Sequence, residues 1–240
     1  MPKKIRVQKK TVKNIPEEIM TPQQKVFEFL NAHVTKIVSF CIIILLILLG
    51  FWGFKYIKKK NEEKASLLFF KAKQIYIGAL NSEKGLFEEP RDIFKEITEK
   101  FSNTSSGTLS LFYIGNCQYE LKEYDNAISS YEKFLKTIEN KKEWGAFTNL
   151  VYDSLGYCYE AKGEYENALK SFKKIIINPE NFSLKESGYL NVGRCYELLE
   201  QREKAIEIYK EFKDKYPDSL YLSLINRKIS SLLSLKKKGY

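Results

Sequence analysis

Three cysteines, Cys117, Cys158 and Cys195, recur in similar surroundings, and a carboxylate follows each within three residues: Glu120, Glu160 and Glu197. Thiolates beside acids could bind a soft metal or carry nucleophilic or redox chemistry. The spacing argues against each. No Cys-x-x-Cys pair occurs and His33 is the single histidine, so the chain lacks the spacing of a zinc set. Acid–base catalysis needs carboxylates that converge in a pocket, whereas acids recurring with a module line a ridge and face solvent. There is no phosphate-binding glycine loop and no nucleophile elbow. The chain reads as a non-enzyme with no cofactor, no metal and no small-molecule substrate. What, then, makes these residues recur?

The cysteines belong to a phrase that occurs three times: IGNCQYELKEYDNA from Ile114, LGYCYEAKGEYENA from Leu155 and VGRCYELLEQREKA from Val192. In each copy a glycine and an alanine stand twelve residues apart: Gly115 and Ala127, Gly156 and Ala168, Gly193 and Ala205. A large aromatic follows the alanine by four (Tyr131, Phe172, Tyr209), and a further hydrophobe comes three later (Phe134, Ile175, Phe212). Pro179 and Pro217 come soon after the second and third copies.

This pattern closely resembles the tetratricopeptide repeat, a helix–turn–helix unit. Small Gly and Ala let the two helices of a unit approach closely, and the aromatic is expected to fill the gap toward the next unit. Gly163 is placed to adopt the left-handed conformation that ends the first helix; Lys122 and Glu200 occupy the same position in the other copies, and Gln118 replaces the usual Tyr. The copies begin 41 and 37 residues apart, against about 34 in the usual repeat. The first excess falls in ENKKEWGAF and is expected to lengthen one helix by about two turns. Packed helix axes lie about 8–10 Å apart, so cysteines on successive first helices should exceed the about 7 Å limit for a disulfide and act as small buried hydrophobes.

Residues 62–102 read as a worn first unit, because DIFKEITEKFSN matches EIYKEFKDKYPD at Phe94/Tyr209, Ile97/Phe212 and Phe101/Tyr216. After Pro217, DSLYLSLINRKISSLLSLKKK reads as a capping helix. The predicted fold class is therefore all-α: a solenoid with repeats near 62–102, 108–141, 149–180 and 186–217, and a cap and tail over 218–240.

The formal charge of +10 could suggest nucleic acid, but residues 1–60 carry twelve Lys/Arg and three acids, while the remainder is nearly balanced. A nucleic-acid face on the array is thereby disfavoured. Between Lys36 and Lys55 run eighteen uncharged residues, IVSFCIIILLILLGFWGF. As a helix they span about 27 Å, close to the hydrocarbon thickness of a bilayer. Residues 37–57 are read as a single-pass transmembrane helix with Trp52 and Tyr56 at an interface. The stretch that follows is bulky and basic, unlike a signal-peptide cleavage site, so the helix is expected to stay as an anchor. Residues 1–36 form a basic tail that includes TPQQKVFEFLNAHVTK. Here Thr21 is a helix N-cap with Pro22 at N1. This helix lies at the headgroups or extends the anchor. Charge gives two answers on topology: the tail before the anchor has eight Lys/Arg, whereas the near flanks favour a cytoplasmic array, with Lys55, Lys58, Lys59, Lys60 and Lys64 against Lys25 and Lys36.

The layout also resembles the bacterial ancillary subunit family of the Sec translocon. That resemblance implies a bacterial inner-membrane protein with its N-terminus in the cytoplasm and its array in the periplasm. There it would act as a chaperone-like scaffold for peptides, translocon components or a periplasmic chaperone. An envelope-assembly or division adaptor with one dedicated partner, and a cytoplasm-facing docking platform, are the alternatives. The tetratricopeptide resemblance, carried over by position, implies a concave groove lined by Phe112, Asn116 and Tyr119, then Asp153, Tyr157 and Glu160, then Leu190, Arg194 and Glu197. Some of these are equally expected to pack against the neighbouring repeat instead.

Overall fold

A computed structural model describes residues 21–83, 85–178 and 184–237, and every regular element among them is helical. Most of the basic tail (residues 1–20), Pro179 and the last three residues lie outside that set. The chain divides into two units, residues 1–57 and 58–240.

Helix α1 is Pro22–Leu80. Its start is a reciprocal capping box: the Thr21 amide donates to Gln24 Oε1 at 2.9 Å, and the Gln24 amide donates to Thr21 Oγ1 at 3.4 Å. The residues before the apolar run are thus an extension of the same helix. His33 stacks on Phe29 with ring centres 4.6 Å apart and donates its Nδ1–H to the Phe29 carbonyl. The helix is long and apolar enough to cross a membrane, and none of its most apolar window is buried. That window is therefore not part of the core of this fold. Trp52 and Tyr56 are exposed.

From Lys58 onward α1 serves as the first helix of the second unit. Ala65, Ala72 and Ala79, seven residues apart, are buried, and Phe69 and Tyr76 meet the rings of Phe94, Phe87 and Tyr113 at 5.3–5.8 Å. Its companion α2 (Glu88–Lys100) begins with acids and ends in lysine, the order that suits a helix dipole. Three helix pairs follow: α3 (Ser105–Glu120) with α4 (Tyr124–Ile138), α5 (Gly145–Ala161) with α6 (Tyr165–Ile177), and α7 (Lys185–Leu198) with α8 (Arg202–Lys215). Helix α9 (Leu222–Lys237) closes the last face with Ile225 and Leu232 buried against Tyr209 and Phe212.

The glycine–aromatic pairs differ from the expectation. A methyl group built on Gly115, Gly156 or Gly193 would lie 2.5, 2.3 or 2.1 Å from a ring carbon of Tyr131, Phe172 or Tyr209 respectively. Each aromatic therefore seats in a slot cut by the glycine of its own unit. The glycine is small for the sake of that ring, not only so that backbones can approach. Ala127, Ala168 and Ala205 are fully buried beside these rings.

The turn at Gly163 follows the sequence reading, and Lys122 and Glu200, which depart from glycine there, adopt the same conformation. Lys122, Gly163 and Glu200 all have positive φ, 61°, 77° and 58°. In each turn the following amide bonds back to the carbonyl five residues earlier: Glu123 to Gln118, Glu164 to Tyr159 and Gln201 to Tyr196, each at 2.8 Å. These are Schellman caps. Holding a non-glycine residue there costs about 1–2 kcal/mol, partly offset by the greater entropy glycine loses on folding. Lys122→Gly and Glu200→Gly are each expected to raise stability by about 0.5–1 kcal/mol in chemical denaturation.

The extra residues between the first two full units do not add two turns to one helix; α4 and α5 have 15 and 17 residues against 13 and 14 in α6 and α7. Helix α4 stops at Ile138, Asn140 turns with φ 63°, and Lys142–Trp144 form one 3-10 turn before α5. Trp144 packs there on Phe134 and Phe147 at 5.9 and 5.3 Å. The helices break here because Asn tolerates the left-handed conformation and the indole fastens the loop to the core.

Candidate functional site

Four of the nine groove residues converge. Phe112, Asn116 and Tyr119 from α3 and Tyr157 from α5 line one cavity of about 220 Å³, together with Tyr76 from α1, Glu120, Tyr131 from α4 and Ser154. The Tyr131 hydroxyl donates to Asn116 Oδ1 at 2.7 Å. Burial pushes the phenols of Tyr76, Tyr119 and Tyr131 up, so all three remain neutral at physiological pH.

The other five make a different structure. Arg194 donates to Glu160 at 2.6 Å and lies over the Tyr157 ring, 5.6 Å from its centre. Glu197 accepts from the Tyr209 hydroxyl and from Lys228 Nζ at 2.8 Å. Asn191 donates to Asp153 at 3.1 Å and to the Tyr157 hydroxyl at 3.2 Å. Leu190 packs at the margin of the third-repeat core. Asp153, Glu160 and Arg194 thus tie α5 to α7, and Glu197 ties α7 to α9. The picture of acids along a solvated ridge is corrected for Glu160 and Glu197, which are paired. Glu120 is exposed and forms no ion pair among the described residues. It also stands one residue past the position of Glu160 and Glu197, where the first repeat has Tyr119.

A tetratricopeptide repeat-like domain profile matches residues 28–233. The chain belongs to that family. Among solved structures, its fold is similar to the TPR-like repeats of a kinesin-light-chain-type protein from Podosopora anserina (TM-score 0.58, 10% identity, 74% of this chain and 89% of that one). It is also similar to BtubC (BKLC) from P. vanneervenii (TM-score 0.51, 16% identity, 74% and 83%). No curated protein matches significantly. At these identities the likeness establishes the fold alone: a TPR-type repeat scaffold suited to protein–protein interaction.

In this TPR array the cysteines are packing residues. Cys117, Cys158 and Cys195 are free and fully buried, and burial pushes each thiol up to about 12. Among the described residues no group of three His, Cys, Asp or Glu side chains could hold a metal ion. Sequence position missed Tyr76 and Ser154 in the cavity and gave Glu120 and Tyr131 other roles. Ser154 stands one residue after Asp153, and a helix-face projection of α5 would have found it; Tyr76 lies in the worn unit, which offers no motif to project from.

Asp153 gives the array a testable pH response. Burial raises its carboxyl from 3.8 to about 6, against the opposing pull of Asn191 and Arg194. A raised acid binds its proton more tightly in the folded state, so stability falls as pH rises from about 3.8 to about 6, and the penalty is complete above that window. Asp153→Asn keeps the acceptor for Asn191 and removes the charge. The variant is expected to be about 1 kcal/mol more stable than wild type at about pH 8 and indistinguishable from it at about pH 3.5. Denaturation midpoints at the two pH values check this.

Proposed function

We propose that the chain is a membrane-anchored TPR scaffold that holds polypeptide partners in the cavity on its first-helix face, at the protein export site of a bacterial inner membrane. The observation that carries this reading is the cavity itself. It gathers rings from four helices of the array, it is open to solvent at Glu120, and no lysine or arginine of the inter-repeat ion pairs lines it. Aromatic walls give contact area at small entropic cost and suit varied partners.

The exposed apolar segment of α1 supports anchorage, with Trp52 and Tyr56 as interface residues. The order of basic tail, anchor and short array resembles the ancillary Sec subunit family and supports an N-terminus inside and an array outside, beside translocon or chaperone components. A photocrosslinker at Asn116 or Tyr157 is expected to capture an exported chain or a translocon-associated protein in intact membranes; capture of neither contradicts the reading. The five lysines after the anchor favour a second reading, a docking platform facing the cytoplasm. A reporter fused after Tyr240 separates the two: activity only outside the cytoplasm supports the first, activity only inside it supports the second.

A further inference from the structure

We infer that the cavity between Tyr76, Phe112, Tyr119, Tyr131 and Tyr157 is a cage for a single basic side chain of a partner polypeptide, with Glu120 as its counter-charge. This rests on the reading of that face as the partner groove and names the chemistry it selects.

Five of the eight lining side chains are aromatic, one is a carboxylate, and none is a lysine or arginine. Ring faces carry negative potential, and a cation set among several of them is attracted without needing a full ion pair. The rings are held in place. Tyr76 meets Tyr113, Tyr119 meets Tyr124 and Tyr157 meets Phe172, each edge to face at 5.4–5.6 Å from a ring outside the cavity lining. A cage whose walls are fixed from behind loses little freedom when it is filled.

The array already shows what such a ring does. Tyr157 carries the Arg194 guanidinium at 5.6 Å, but that cation is committed to Glu160. Glu120 at the cavity margin has no such partner among the described residues. The size fits as well. About 220 Å³ is below the range of about 300–1,000 Å³ at which small-molecule pockets operate, and it suits one side chain. An acidic side chain would meet Glu120 and gain nothing from the rings. A neutral apolar one would forgo the attraction of both.

The test uses the full chain in detergent micelles with 13C-labelled tyrosine rings. It is titrated with a short acetylated, amidated Ser-Gly-Lys-Gly-Ser peptide and with the same peptide carrying norleucine or glutamate in place of lysine. The lysine peptide is expected to shift the Tyr76, Tyr119 and Tyr157 ring signals saturably, with at least about tenfold higher affinity than the norleucine peptide, and the glutamate peptide to give no shift. Glu120→Gln alters only an exposed group and should retain its far-UV circular dichroism. It is expected to weaken the lysine peptide about three- to tenfold and to leave the norleucine peptide unchanged. Equal binding of the lysine and norleucine peptides would overturn the cation cage while leaving a groove that binds polypeptide. Absence of ring shifts with any peptide overturns the cage as well, and polypeptide capture from Tyr157 then decides separately whether the groove reading survives.

Discussion

Truncation of Tyr209 to alanine is expected to destabilise the array by about 4 kcal/mol, and Gly193→Ala by about 2 kcal/mol. The two losses are expected not to add. Tyr209 is fully buried among Phe212, Val192 and Ile225 in the third-repeat core, and its hydroxyl donates to Glu197. A methyl group on Gly193 would meet that ring at 2.1 Å. Because the ring is walled in and tethered at its far end, it cannot swing away without opening the cluster. Alanine favours the helix over glycine by about 1 kcal/mol, too little to offset the clash. With the ring already removed the sign reverses: in a Tyr209→Ala background, Gly193→Ala is expected to be neutral or stabilising. Tyr209→Phe isolates the hydroxyl and should cost about 1 kcal/mol. Guanidinium denaturation of the four variants closes the cycle. A stabilising Gly193→Ala in the native background would show that the slot is not built for the ring.

Glu62→Ala is expected to cost about 2 kcal/mol and to loosen the start of α3. The Glu62 carboxylate accepts from the Ser105 amide at 2.6 Å, the Ser106 amide at 3.0 Å and the Ser106 hydroxyl at 2.8 Å. Thr104 caps the same helix through the Gly107 amide at 2.9 Å. A carboxylate from α1 thus occupies the positive end of α3, joining a helix dipole to charge-assisted hydrogen bonds. Removing it leaves two amides and a hydroxyl without this acceptor. Hydrogen exchange at Ser105 and Ser106 should accelerate in Glu62→Ala and less so in Glu62→Gln, which keeps one acceptor oxygen. Unchanged exchange in both variants would show that solvent or Thr104 suffices.

Features set by a residue's own neighbours were legible before any coordinates. The Thr21 cap, the left-handed turn at Gly163 and the buried cysteines all depend on spacing within one helix or one turn. Contacts between units were not. Glu160 and Arg194 stand 34 residues apart and Glu197 and Lys228 31 apart; their meeting depends on how far each helix pair is offset from the next. The same limit hid Glu62 and Tyr76. Both belong to the worn unit, where buried alanines replace the glycine slot and Gly78, sixteen residues before Phe94 as Gly193 is before Tyr209, has no neighbour for a methyl group to meet. The ENKKEWGAF segment was misread as two added turns of one helix because its composition permits a helix, whereas the Asn140 turn and the Trp144 contacts break it between α4 and α5.

The central claim is that partners are held on the cavity face. It is tested most directly by comparing photocrosslinking yields across the two sides of the array in intact membranes, with the crosslinker at Asn116, Tyr119 and Tyr157 and, in parallel, at the exposed second-helix positions Lys133, Lys170 and Lys210. The account predicts that polypeptide adducts concentrate at the first three positions and fall when Ser154→Trp fills the cavity. Equal yields on both sides, or yields indifferent to Ser154→Trp, would contradict it.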